Sequence, residues 1–131
     1  FEWVIENLCK NAVDALEGRS GRIDIYVMQK EQTVVIDLVD TGKGIRQKDM
    51  KNVFRPGFTT KQRGWGLGLS LARRIVEEYH HGKIFVKQSE VGQGTTFRII
   101  LPVSWKGLLT VYLPLEHLFF SCFQFEKRHW K

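Results

Sequence analysis

Gly64-Trp65-Gly66-Leu67-Gly68-Leu69-Ser70 places three glycines on alternate positions and opens onto a helical pattern running through Ala72, Ile75, Val76 and Tyr79. Glycine lets a backbone take φ > 0 and come close to a ligand. A helix start offers unpaired N–H groups and the positive end of a dipole, so this junction suits phosphates. A flexible turn is the plainer reading of the same residues. Two other phosphate designs are excluded. The dinucleotide fingerprint needs Gly-x-Gly-x-x-Gly straight after a strand, whereas here the spacing is Gly-x-Gly-x-Gly after Thr59-Thr60-Lys61-Gln62-Arg63. No Gly-x-x-x-x-Gly-Lys-Ser/Thr occurs either, so any nucleotide site must be of another design.

Working back from that junction, Phe54-Arg55-Pro56-Gly57-Phe58-Thr59-Thr60-Lys61 interrupts regular structure at Pro56 and Gly57. Phe54 and Phe58 read as anchors of a basic loop beside the phosphate seat, which makes the loop a candidate lid; a plain surface loop pinned by two phenylalanines is the alternative. Arg46 to Val53 can form a short helix. Before it stands Asp40-Thr41-Gly42-Lys43-Gly44-Ile45, an Asp-x-Gly-x-Gly. As structure it is a turn with an Asx cap. As a site it puts the Asp40 carboxylate on the floor of a pocket, accepting a hydrogen bond from an exocyclic amine. Such a charged hydrogen bond is worth about 1.5–3 kcal/mol, enough to select adenine over a base lacking that donor.

The residues from Phe1 to Leu16 form a helical pattern at about 100° per residue. Val4, Ile5, Leu8, Cys9, Ala12, Ala15 and Leu16 share one broad apolar face, with Glu2, Glu6, Lys10 and Glu17 opposite. Asn7, Asn11 and Asp14 form a narrow polar stripe at the border, the place for a cleft rim. Asparagine is a poor helix former, so two on one stripe invite a reason, and a hard cation such as Mg2+ accepts an amide oxygen; Asn11 could supply it. Arg22 to Met28 and Thr33 to Val39 read as one hairpin, joined by Gln29 to Gln32. Lys83 to Ser89 and Thr95 to Leu101 read as a second, joined by Glu90 to Gly94, after a helix stop at His80-His81-Gly82. The two adjacent histidines point about 100° apart on a helix and have no spaced third ligand. The element order gives an α+β fold, a two-layer sandwich whose helices cover one face of a mostly antiparallel sheet.

The whole chain of 131 residues, 43% hydrophobic, is sized for one globular domain. Cys9 and Cys122 lie far apart with no metal-ligand spacing, which fits a reduced, intracellular setting better than a disulfide scaffold. No apolar run has spanning length, and Leu113 to Phe125 is broken by Glu116 and His117. A net charge of +6 calls for an anionic partner. Nucleic acid is disfavoured because the basic residues are scattered and carry no helix-turn-helix, zinc-finger or RNA-binding signature. The chain opens inside a helical pattern at Phe1, so a piece of a longer protein is expected. Residues 103–131 lose all period, gather Trp105, Trp130 and the Leu118-to-Phe125 run, and are treated as a separate tail of undetermined role.

With these pieces placed, the sequence resembles the ATP-binding catalytic domain of sensor histidine kinases, in the superfamily with DNA gyrase B subunits, the ninety-kilodalton heat-shock chaperones and MutL. Glu6 to Ala12 is similar to the asparagine box, Asp40 to Ile45 to the first glycine box, Phe54 to Lys61 to the phenylalanine box, Gly64 to Ser70 to the second glycine box, and Gly92-Gln93-Gly94-Thr95-Thr96-Phe97 to the last. Each is weak alone, but five in the family's order and spacing are specific. The resemblance covers residues 1–102 and implies a Bergerat-type fold with a mixed, mostly antiparallel sheet, lacking its extreme N-terminal elements here.

It also implies a site for ATP and Mg2+. Asn11 would hold the metal, with Asn7 and Asp14 beside it. Asp40 would bind the adenine amine in a pocket lined by Gly42, Gly44, Ile45 and Thr95. Phe58, Thr60, Lys61, Arg63 and Gly64 would contribute from the lid, with Lys61 and Arg63 on the phosphates, which Gly66, Leu67, Gly68 and Leu69 would cradle. Asn7, Asn11, Lys61 and Arg63 are the implied catalytic set. In hydrolysing relatives a glutamate stands four residues before the metal asparagine; Asn7 holds that place and cannot act as a base, so phosphoryl transfer is expected over hydrolysis. The implied acceptor is a histidine on a separate dimerisation domain preceding Phe1, with a response regulator downstream. None of His80, His81, His117 or His129 has that context, so the chain is expected to bind ATP without phosphorylating itself. The implied location is the cytoplasm, with a parent that can be anchored in the inner membrane. A serine kinase of the anti-sigma type, a hydrolysing family member, a nucleotide-sensing module and a nucleic-acid-binding domain are the competing readings.

Overall fold

A computed structural model describes residues 1–61 and 64–103, so Arg63 and nearly all of the tail lie outside the described residues. The apolar stripe of the first helix, α1 (Glu2–Ala15), buries Val4, Leu8 and Ala12, while Glu6 faces solvent. Each fully buried leucine or valine removes enough apolar surface from water to contribute about 1.5–3 kcal/mol. Two hairpins, β1 (Ile23–Lys30) with β2 (Thr33–Asp40) and β3 (Lys83–Glu90) with β4 (Gly94–Pro102), join through β2 and β4 into the order β1-β2-β4-β3. Expected as mostly antiparallel and mixed, the sheet is antiparallel at every pairing among the described residues. The first turn is tighter than the four residues expected: pairing continues to Lys30↔Thr33, and Glu31 takes a left-handed φ of 49° to close it.

Side chains alternate across each strand. Val34, Ile36 and Leu38 therefore face the helices with Ile84, Phe97 and Ile99, while Asp37 faces away. Asp37 is 5% exposed and takes two hydrogen bonds from Arg98, both 2.7 Å, with the Lys87 ammonium at 3.3 Å. The Arg98 hydrogen bond, above all, holds its carboxyl below the usual value of 3.8. A depressed folded pKa means that this stabilisation is present above 3.8 and is lost as pH falls through the lower folded value. Asp37→Asn is accordingly expected to unfold at lower urea than wild type near neutrality, with the two curves converging as pH drops below 3.8.

Two helical expectations change. Arg46 to Val53 forms only a 3-10 turn, Gln47–Asp49, followed by further turns. So short a segment, burying Val53 but little else, cannot repay helix nucleation. The helix after the glycines is α2 (Gly68–Arg74) and continues as a π turn, Ile75–Tyr79. At its stop the left-handed residue is His81 (φ 53°), and the Gly82 N–H reaches back to the Val76 carbonyl at 2.9 Å.

Candidate functional site

Between α1, the end of β2 and the loops on either side of Phe58 lies a cleft of about 680 Å3, within the usual size of a nucleotide-sized pocket. The structure brings to its wall Asn7, Asn11, Asp14, Asp40, Gly44, Ile45, Phe58, Thr60, Lys61, Gly64, Gly66, Leu67, Gly68, Leu69 and Thr95. Asp40 and Thr95, fifty-five positions apart, meet on this wall because β2 and β4 pair there. Gly42 is the exception. It stands behind the wall, where a Cβ would fall 2.6 Å from the Ala15 Cβ, and its work is to let the loop pack on the end of α1.

Asp40 is 3% exposed. Its Oδ1 accepts the Gly42 N–H at 2.8 Å, so the Asx turn and the pocket floor are the same feature. Burial raises its pKa, opposed by the backbone amides of Gly42 and Thr95. A carboxylate pushed this way gains from any further donor in the cleft.

The helical stripe behaves as its spacing implies. Asn7 Nδ2 is buried with no hydrogen-bond partner among the described residues. An unpaired buried donor is costly, which fits a site that takes an acceptor-rich ligand. Gly68 is what permits this approach, since a Cβ there would lie 2.7 Å from Asn7 Oδ1. Lys61 Nζ sits 2.9 Å from Asn11 Oδ1 and 2.6 Å from Asp14 Oδ2. An amide oxygen and a carboxylate oxygen converging on one cation are hard oxygen donors, the kind that could also hold a divalent ion such as Mg2+. Lys61 was expected on phosphates; here it rests on α1. Both partners are about 40% exposed, so the pair is worth roughly 0–1 kcal/mol.

The phenylalanine loop is pinned as its sequence suggests. Phe54 is buried edge-on against Phe97, with centroids 6.1 Å apart, and the Arg73 guanidinium lies 4.3 Å over its ring. Gly66, with φ 66°, approaches so closely that a Cβ would meet the Gly57 carbonyl at 2.7 Å, and the Gly57 N–H bonds the Gly66 carbonyl at 2.9 Å. Trp65 beside it is 87% exposed. Several wall residues escaped sequence reasoning. Lys10, Lys43, Arg46 and Val91 also line the cleft. Lys43 occupies a variable position of Asp-x-Gly-x-Gly, and a lysine following Gly42 was the available signal. Val91 is held against this loop by the Gly92 N–H, which bonds the Lys43 carbonyl at 2.8 Å, and by the close approach of Gly44 to the Val91 backbone.

The family model for histidine kinase-, DNA gyrase B- and HSP90-like ATPases matches residues 1–104. Sporulation kinase E of Bacillus subtilis is 42% identical over 101 residues, covering 76% of this chain and 13% of its own. The sensor histidine kinase ZraS of Escherichia coli K12 is 40% identical over 101 residues, covering 77% and 21%. The chain thus spans about a fifth or less of these curated relatives. Among solved structures, histidine kinase ThkA in complex with the response regulator TrrA superposes with a TM-score of 0.65 at 32% identity, covering 79% of this chain and 28% of that one. Full-length ShkA in complex with AMPPNP gives 0.68 at 27%, covering 76% and 20%.

Proposed function

Because the chain belongs to the family of histidine kinase-, DNA gyrase B- and HSP90-like ATPases, we propose that it is the ATP-binding catalytic domain of a sensor histidine kinase. The observation that carries this reading is the meeting, on one cleft, of the Asp40 carboxylate, the unpaired Asn7 amide and the Asn11–Asp14 oxygen pair. Residues 1–102 are the catalytic unit. ATP and Mg2+, when bound, supply the transferable phosphoryl group and neutralise its charge. Asn11, with Asp14, would hold the metal, and Lys61 would serve the phosphates. Asp40 accepts from the base. Asn7 donates but cannot take a proton from water, so the chain's own residues position a phosphoryl group for transfer rather than hydrolysis. ZraS and ThkA, named as histidine kinases, favour this over the serine-kinase reading.

In the parent protein the acceptor is a histidine of a dimerisation domain and the next acceptor is an aspartate of a response regulator; the ThkA–TrrA complex supports the pairing with a response regulator. No helix among the described residues is long and apolar enough to cross a membrane. The domain works in the cytoplasm, whether or not its parent is anchored in the inner membrane.

Calorimetric titration of ATP with and without Mg2+ tests the site. Asn11→Ala is expected to weaken binding at least about tenfold when Mg2+ is present, as loss of a ligand costs no less than loss of an outer partner. Without Mg2+ the two proteins should differ little. Label from ATP should then reach an added histidine domain of the same parent and not the chain itself; release of free phosphate at the same rate as transfer would overturn the kinase reading.

A further inference from the structure

Ser89 is not on the cleft wall, yet it stands in line with the base-binding residues. The inner-face row across the sheet runs Ser89, Thr95, Asp40, by the pairings Ser89↔Thr95 and Asp40↔Thr95. This row exists because β3 bulges between Val86 and Gln88. Unbroken pairing from Val86↔Phe97 would have set Gln88 beside Thr95; the extra residue shifts the strand by one and turns the Ser89 hydroxyl inward.

Counting protons fixes how these hydroxyls are oriented. Ser89 Oγ has three neighbours: the Ile45 N–H at 2.8 Å, the Gly94 carbonyl oxygen at 3.0 Å and Thr95 Oγ1 at 2.7 Å. A serine hydroxyl has one proton and two lone pairs. The Ile45 N–H can only donate and takes one lone pair. The Gly94 oxygen can only accept and takes the proton. All three contacts are hydrogen bonds only if Thr95 donates to the remaining lone pair. The Thr95 proton is then committed to Ser89, and Thr95, 5% exposed and on the cleft wall, offers lone pairs alone. Beside it, Asp40 Oδ1 already accepts from Gly42 and is likewise an acceptor.

We infer that Ser89 is a positioning residue for nucleotide selection: by taking the Thr95 proton it makes the pocket floor an acceptor-only surface, which favours a base with an exocyclic amine and disfavours one with a carbonyl there. The inference rests on the ATP-site reading above. Ser89 touches no nucleotide; it acts through Thr95.

The test compares affinities for Mg-ATP and Mg-ITP, which differ at that one substituent. Ser89→Ala frees the Thr95 proton to meet the ITP carbonyl, and the preference for ATP is expected to fall about three- to tenfold, the worth of one neutral hydrogen bond. Ser89→Thr keeps a hydroxyl in a strand that tolerates β-branching and should keep the preference. In a Thr95→Val background, Ser89→Ala should leave the preference where Thr95→Val alone puts it. Equal loss of both affinities, with the preference unchanged, would show a merely structural serine and overturn the inference. So would an equal fall in the Thr95→Val background. Should Ser89→Ala fail to fold, Ser89→Cys decides: a thiol accepts only weakly, so the Thr95 proton is released and the preference must drop. Wild-type chain that binds neither nucleotide would instead remove the ATP-site reading itself.

Discussion

Asp40→Asn is expected to lower Mg-ATP affinity about a hundredfold, near the upper end of what one charged hydrogen bond contributes. The carboxylate is 3% exposed and holds the Gly42 N–H at 2.8 Å. An asparagine can keep that backbone bond through its oxygen, but its NH2 then faces the cleft and meets the exocyclic amine donor to donor. Stability should not fall with affinity. Burial raises the Asp40 pKa, so the ionised form is disfavoured by folding, and its contribution becomes less favourable as pH rises from 3.8 through the raised folded value. The neutral side chain avoids that cost at neutral pH. Calorimetry and urea unfolding on the same preparation separate the two effects, and an Asp40→Asn protein that binds within about threefold of wild type would remove Asp40 as the base contact. The same shift predicts that nucleotide affinity weakens as pH is lowered toward the raised Asp40 pKa.

Gly94→Ala is expected to cost about 3–5 kcal/mol, combining a backbone conformation closed to L residues with overpacking. Gly94 has φ 123°, and a Cβ there would run into the Asp40 carbonyl and lie 2.9 Å from the Thr41 Cα. Those atoms belong to backbone and cannot swing aside. The loss is a large part of the roughly 5–15 kcal/mol that holds a domain of this size together. Gly92 is the matched control: its φ of 83° is also left-handed, but nothing lies within 4 Å of its missing Cβ. Gly92→Ala should therefore cost only about 1–2 kcal/mol. Urea midpoints of the two variants measure the difference. A Gly94→Ala loss no greater than that of Gly92→Ala would mean that the close approach of β4 to the end of β2 does not matter.

Much of the site is local information. The stripe of Asn7, Asn11 and Asp14 follows from helical spacing alone, and the structure sets all three on the cleft. Asp-x-Gly-x-Gly at the end of a strand specifies the Asx turn that aims Asp40, whatever the strand pairs with. Phe54 and Phe58 announce themselves as anchors by flanking Pro56-Gly57. In each case a side chain's direction is decided by residues within about one or two turns of it, and such short-range geometry is what period and turn chemistry encode.

Other features have no local determinant. Lys61 reads as a phosphate ligand from its place in a basic loop; only the fold, by bringing that loop over α1, gives it the oxygens of Asn11 and Asp14 as partners, fifty and forty-seven residues away. Gly42 reads as part of the pocket lining, and the packing of its loop on Ala15 moves it behind the wall. The clearest case is Ser89. Strand periodicity through Val86 would place Gln88 on the inner face, and one bulged residue substitutes Ser89 beside Thr95. Order of motifs, helix faces and turn types were thus settled by the chain's own local chemistry. Strand register, the pairing of Lys61 with the Asn11 and Asp14 oxygens and the meeting of Ser89 with Thr95 were settled by contacts between distant segments, because a bulge or a docked loop is selected by the partner it pairs with and leaves no period in the sequence.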